Sequence, residues 1–379
     1  MRLFKIVALQ IVLGLVLIEI GLRIYNPLPF RVRGNRIVLP VHQRYTFHNQ
    51  GAVKLDPVTH HTKNSLGFRG PDPPRDFSRR VTLVTIGGST TECLFLSDGK
   101  TWTDALARAL ARTRADVWVN NAGLDGQSTY GHLILLRDFI VSLRPTLAVF
   151  LIGVNDVGLD AVNDYDTSLA PTWLPWRERW NPYDTVLAGH RTPWHSGWVF
   201  LTNHSELAGM VENFRRMSRA REAGFAHQEI DLTTLPTLAS DAGLAEAAVA
   251  TLQQPLRGYA ERVAAIVELC RANGIEPVFI TQPVLVGDVI DPATGVNLAT
   301  VQVKSGRNGS LSWRMQEMYN DVTRRVASER HVTLVDAARE MPKDSRLFYD
   351  FMHLTNEGAA RLGDIVAAPI EALDLLKGR

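Results

Sequence analysis

Two different rhythms of apolar and polar residues run along this chain. The segment MRLFKIVALQIVLGLVLIEIGLRIY sets Arg2 and Lys5 ahead of an apolar run from Ile6 to Ile18, broken by Glu19 and resumed at Ile20, Leu22 and Ile24. A spanning helix needs about 20 mostly apolar residues. The run has almost no polar face, which argues against a buried amphipathic helix. A cleaved signal peptide would share the basic start and the short apolar region, but it also needs small residues at a cut site. Here that place holds Glu19-Ile20-Gly21-Leu22-Arg23. The pattern favours an uncleaved anchor over residues 1–25. The leading basic residues put its N-terminus in the cytoplasm, and the rest of the chain then lies in the periplasm or outside the cell.

The second rhythm begins at Val81. Val81–Ile86, Val117–Asn121, Leu147–Ile152, Pro277–Thr281 and Val332–Val335 read as strands. Trp102–Arg112, His132–Leu143, Leu256–Ala272, Trp313–Ser328 and Gly358–Leu376 read as helices between and after them. Leu147–Ile152 is apolar throughout, as expected of a strand covered on both faces. Alternating strands and helices imply a three-layer α/β sandwich around a parallel sheet of about five strands. The catalytic domain is thus expected over 81–379, with one transmembrane helix ahead of it. Residues 26–80, with NPLPF, GPDPP and RDFSRR, read as an extended linker. Within it, Asn64–Gly70 reads as a turn with one buried aromatic, and His60-His61 as a solvated loop rather than a metal site. Residues from about 157 to 254 carry no β-α pattern and read as an insertion, partly helical after Leu207. Five of the eight tryptophans fall within it, between Trp173 and Trp198.

Composition narrows the class. Apolar residues at 45% and charged residues at 21% describe a globular chain. The 41 basic and 39 acidic side chains nearly cancel, so nucleic acid is not an expected partner. Cys93 and Cys270 stand in unrelated contexts and read as two buried thiols, with a single bridge as the alternative. No Cys/His cluster has metal-ligand spacing, and no metal or cofactor is expected.

In open parallel sheets, ligands bind beyond the carboxyl ends of the strands. Three strands here end in Gly87-Gly88-Ser89-Thr90, in NAGLDGQST and in Gly153-Val154-Asn155-Asp156. A fourth polar set, Tyr349-Asp350-Phe351-Met352-His353, comes late. Each alone is an ordinary turn or helix cap. Together they suit acyl transfer. A serine hydroxyl needs a base, which His353 can supply, and Asp350 can hold that imidazole in one tautomer. Charge developing on the substrate carbonyl calls for preorganised donors: the N–H groups of Ser89 and Gly126 and the side-chain amide of Asn155. GGSTTE lacks the lysine of a phosphate-binding loop, which removes a nucleotide-binding reading.

This set resembles the SGNH/GDSL hydrolase superfamily. Ile86-Gly87-Gly88-Ser89 matches its first block, with Gly88 where the family usually has Asp. Gly126 falls on the second-block glycine, Gly153–Asp156 on GxND, and Asp350 and His353 on DxxH. The anchor followed by NSLGFRG is similar to membrane-anchored bacterial envelope members. The resemblance implies a flavodoxin-like sheet, with Ser89, Asp350 and His353 as catalytic residues and Ser89, Gly126 and Asn155 as the oxyanion hole. The implied function is an esterase removing O-acyl groups, acetyl foremost, from an extracytoplasmic carbohydrate or lipid, held in the inner membrane by its first helix. Two alternatives stay open: an O-acetyltransferase using the same site on an envelope polysaccharide, and an inactive membrane-tethered binding module. The tryptophan-rich segment reads either as a sugar- or lipid-binding surface or as packing.

Overall fold

The computed structural model describes residues 2–27, 30, 32–33, 36–49, 52–160, 193–222 and 227–373. The chain forms two compact units, residues 1–40 with 167–226, and residues 41–166 with 227–379. The principal helices are, in chain order, α1 (Arg2–Ile24), α2 (Ser89–Glu92), α3 (Trp102–Thr113), α4 (Thr129–Leu135), α5 (Pro193–His204), α6 (Glu206–Glu222), α7 (Gln253–Ala272), α8 (Gly309–Glu329) and α9 (Asn356–Glu371).

The larger unit is built on five parallel strands, β1 (Val81–Gly87), β2 (Val117–Asn121), β3 (Leu147–Ile152), β4 (Glu276–Thr281) and β5 (Thr333–Val335). They lie side by side in the order β2-β1-β3-β4-β5, which is the flavodoxin-like order expected of a doubly wound sheet. Register pairs Leu83 with Leu147 and Gly87 with Leu151, then Leu147 with Glu276 and Ile152 with Thr281. Strands β1 and β3 are buried along their whole length, which is why their sequences show no polar alternation. Side chains still alternate between faces. Leu83, Val149 and Val278 join Leu106 of α3 and Leu362 of α9 in one cluster, while Phe150 and Phe279 meet each other at 5.8 Å between ring centres. Each such residue removed from water contributes about 1.5–3 kcal/mol. Helices α3 and α9 pack together, and α7 packs on α8 and α4. The chain crosses to one side between β1 and β2 and to the other between β2 and β3. That reversal brings the ends of β1, β2 and β3 to one crevice.

Several expected boundaries move outward because side chains cap the helices earlier than apolar periodicity shows. Thr355 accepts from the Gly358 N–H at the start of α9, and Asn308 from the Leu311 N–H at the start of α8. Helix α4 begins at Thr129, three residues before the expected start, with Ser128 as its cap. Helix α7 ends at Ala272, where Asn273-Gly274 was expected to stop it.

The stretch before Val81 carries more structure than extended chain. Gln43–His48 and Val58–Lys63 pair as an antiparallel hairpin, Gln43 opposite Lys63. Asn64 then closes the expected turn, its Oδ1 accepting from the N–H groups of Leu66 and Phe68, with the Phe68 ring buried. Arg69 pairs with Asn121 at the end of β2. His61 is not in a solvated loop. It faces inward from its strand against Tyr45 and Phe47. Burial, with Arg69 and Lys63 nearby, pushes its pKa down to about 2. Cys93 and Cys270 are both free and buried.

In the smaller unit, α1 is one unbroken helix whose apolar side chains, from Leu3 to Ile24, are largely exposed. It is long and apolar enough to cross a membrane or to act as a signal. Helices α5 and α6 belong to the same unit. Within the expected insertion, Trp173, Trp176 and Trp180 lie outside the described residues. Its last part returns to the larger unit, where Ile230 N–H donates to the Tyr349 carbonyl and Leu238 N–H to that of Thr300.

Candidate active site

Strand β1 ends at Gly87, and the chain turns at Gly88 straight into the short helix α2, of which Ser89 is the first residue. The two glycines are needed for space. A Cβ on Gly87 would lie 2.2 Å from Thr91 Oγ1 and 2.7 Å from the Leu151 carbonyl oxygen. One on Gly88 would lie 2.4 Å from Asn155 Nδ2. A side chain at position 88 would therefore have to displace the Asn155 amide. As the first residue of a helix, Ser89 has an N–H that no intrahelical carbonyl can reach.

The structure brings Ser89, His353 and Asp350 together. Ser89 Oγ donates to His353 Nε2 at 2.7 Å, and His353 Nδ1 donates to Asp350 Oδ2 at 2.6 Å. The other carboxylate oxygen accepts from the N–H groups of Met352 at 2.9 Å and His353 at 2.7 Å. Burial works to raise the Asp350 pKa, but the neighbouring His353 and these hydrogen bonds outweigh it and hold the carboxyl below its usual range. All three side chains are largely covered, with Ser89 only 5% exposed.

The segment carrying Gly126 is fastened beside this group. Leu124 N–H donates to the Gly87 carbonyl, and Asp125 N–H donates to Glu92 Oε2 at 2.6 Å. Gly126 has φ of 74°, the left-handed region that an L side chain rarely enters. Asn155 lies in the turn after β3, and its Nδ2 donates to the Gln127 carbonyl at 2.9 Å. An amide nitrogen carries two hydrogens, so one N–H remains for a ligand. The last residue of the GxND block, Asp156, faces inward. Its carboxylate accepts from Thr129 N–H, Thr129 Oγ1 and Arg262 Nη2. Arg262 is fully buried and lies 3.9 Å over the Tyr130 ring.

Three supporting residues were not found from the sequence. Arg69, from the NSLGFRG turn, donates to the carbonyls of Glu92 and Cys93 at 2.7 Å and of Leu96 at 2.8 Å. It thereby binds the last carbonyl of α2, that of the residue capping it and one in the loop beyond. The motif was visible, but nothing in it says where a guanidinium will reach. Arg262 sits at an ordinary helical position with no local signal. His227 comes from the patternless insertion. Its Nε2 bonds Asp125 Oδ1 and its Nδ1 bonds the Tyr349 hydroxyl, both at 3.1 Å, and its ring centre is 4.2 Å from that of His353. Burial works to lower the His227 pKa, but Asp125, with Asp350 and Glu92 behind it, raises it above its ordinary value.

His227, Asp350 and His353 also bring three ligand-type atoms within 4.8 Å of one another. A metal ion there would have to replace the contacts that His353 makes with Asp350 and Ser89. The arrangement suits a hydroxyl–imidazole–carboxylate relay better than a cation.

Among solved structures, the chain is similar to LAE5, an alpha/beta hydrolase enzyme from the metagenome of Lake Arreo, at 15% identity over 77% of this chain and 94% of that one, with a TM-score of 0.40. It is also similar to Axe2, an acetylxylan esterase from Geobacillus stearothermophilus, at 14% identity over 79% and 97%, with a TM-score of 0.42. Comparison with curated protein sequences yields no match. The profile of the GDSL-like lipase/acylhydrolase family matches residues 85–361, a span that includes Ser89, Gly126, Asn155, Asp350 and His353. That match covers most of the chain, which therefore belongs to the GDSL-like lipase/acylhydrolase family.

Proposed function

We propose that this acylhydrolase is a serine esterase that removes small O-acyl groups, acetyl foremost, from a carbohydrate or lipid outside the cytoplasm. The observation that carries this is the unbroken relay from Ser89 through His353 to Asp350 at the carboxyl edge of the sheet. His353 Nε2 takes the Ser89 proton as Oγ attacks the ester carbonyl carbon. The carbonyl oxygen, now negative, accepts from the N–H groups of Ser89 and Gly126 and from the Asn155 amide. Collapse expels the alcohol, which takes the proton from His353 and leaves an acyl-serine. Water then loses a proton to His353 and attacks that ester, and collapse releases the acid as Ser89 Oγ takes the proton back from His353 Nε2. Asp350 keeps Nδ1 protonated and Nε2 free at the start of each half-reaction, and it stabilises the imidazolium between.

Two features support a small acyl group: Ser89 is buried, and Tyr349 and His227 lie against the His353 ring. Helix α1, with Arg2 and Lys5 at its start, supports an inner-membrane anchor with the catalytic unit on the outer side.

An activated phosphonate should label Ser89 in the wild type and nothing in Ser89→Ala. Equal labelling of both proteins overturns the assignment. Turnover of p-nitrophenyl acetate should exceed that of long-chain esters. Acyl groups recovered on an added polysaccharide, rather than as free acid, would make the protein an acetyltransferase with the same nucleophile.

A further inference from the structure

Glu19 interrupts the apolar run of α1, and in the structure its carboxylate has a definite task. Its oxygens accept from Ser205 Oγ at 2.8 Å, from Glu206 N–H at 3.0 Å and from Leu207 N–H at 3.1 Å. It therefore caps the N-terminus of α6 from another helix. Arg23, one turn further on, bonds Glu19 at 2.8 Å and also reaches the His204 carbonyl at the end of α5. The junction between α5 and α6 is thus fastened to α1 at the level of Glu19. That level lies five residues before the end of α1, about 8 Å along its axis. If α1 crosses the bilayer, the junction sits within the outer boundary of the hydrocarbon, not above it.

Both helices expose large apolar side chains at that level. Trp198, Phe200 and Leu201 of α5 and Val211 and Phe214 of α6 are 37–52% exposed. Trp198 and Leu201, like Val211 and Phe214, are three residues apart and so share a helix face. Some polar groups are satisfied within the unit: Trp198 Nε1 donates to Glu212 Oε2 at 2.9 Å, and Thr202 Oγ1 to the Trp198 carbonyl at 3.0 Å, whereas the charged side chains of α6, such as the 63% exposed Arg215, must reach the headgroup layer. Helix α5 has 12 residues, or about 18 Å of rise, too short to cross a hydrocarbon core of about 30 Å. It can only lie within one leaflet. An ionisable side chain at membrane depth is costly unless it is paired, and the Glu19 carboxylate meets the positive end of a helix.

We infer that α5 and α6 form a helical hairpin embedded in the outer leaflet beside the anchor and clamped to it by Glu19, so that the protein holds the bilayer by a span and an interfacial wedge together. This rests on the reading of α1 as a membrane span, and the test separates the two. In the full-length protein in native membranes, a photo-cross-linking amino acid replaces Leu13, Phe200 or Phe214, one at a time. Lipid adducts are expected at all three positions. In Glu19→Leu they should persist at Leu13 and be lost at Phe200 and Phe214. Lipid adducts at Leu13 alone in the wild type, or adducts at Phe200 and Phe214 only to protein, overturn the wedge. Retention at Phe200 and Phe214 in Glu19→Leu overturns the clamp. Absence at Leu13 overturns the span itself.

Discussion

At the scale of single residues, Gly88 and Asn155 act as a pair. The missing Cβ of Gly88 is what lets the Asn155 amide lie against the turn before Ser89, and Gln127 holds that amide by one of its two hydrogens. Asn155→Ala removes a donor while leaving the relay from Ser89 to Asp350 intact. Turnover of an ester should fall by about 100- to 1,000-fold, the usual effect of losing one such donor, with the midpoint of thermal unfolding little changed. Turnover within a few-fold of wild type in a folded Asn155→Ala would remove this residue from the proposed oxyanion hole.

At the scale of elements, the short helix α2 has only four residues and cannot be stable by itself. Its position is imposed from outside. Arg69 bonds two carbonyls at its far end and a third in the loop beyond, Asn121 Nδ2 donates to the Thr91 carbonyl at 2.6 Å, and Trp102 Nε1 donates to that of Thr90 at 3.1 Å. A lysine cannot reproduce the planar fork of Arg69. Arg69→Ala removes three buried charge-assisted hydrogen bonds to carbonyls and should lower unfolding stability by about 2–4 kcal/mol, read by denaturant titration. Arg69→Lys should recover only part of it. Both variants should lose turnover because the helix that presents Ser89 loosens. Wild-type stability in Arg69→Ala would show that α2 is held by its other contacts.

At the scale of the whole molecule, His227 ties the last part of the insertion to the loop bearing Asp125 and to Tyr349 beside His353. Its pKa is raised above the ordinary 6.5. A group raised on folding contributes stability that is full below its unfolded value and is lost as pH climbs through the folded one. The cost of His227→Gln, measured by denaturant unfolding, should therefore be larger at about pH 6 than at about pH 8. A cost that grows with pH would contradict the Asp125 pairing. Asp350 works in the opposite direction. Its carboxyl is lowered below the ordinary 3.8, so its contribution is present above that value and is lost as pH falls through the folded one.

The local sequence determined what depends on near neighbours. Apolar runs marked β1 and β3 because a strand covered on both faces has no polar alternation. The order of strands and helices implied a doubly wound sheet, since parallel strands need helical crossovers. That sheet in turn placed the ends of β1, β2 and β3 at one crevice, so the convergence there of the segments carrying Ser89, Gly126 and Asn155 was legible. Asp350 and His353 were legible through their spacing, three residues apart. The tertiary structure alone decided the contacts that join distant segments. Nothing near Arg69 says that it clamps α2, nothing near His227 says that its ring lies against His353, and nothing near Glu19 says that it caps a helix 187 residues later. The direction of a long side chain, and the partner it finds, follow from how the layers pack. Local periodicity carries no record of that.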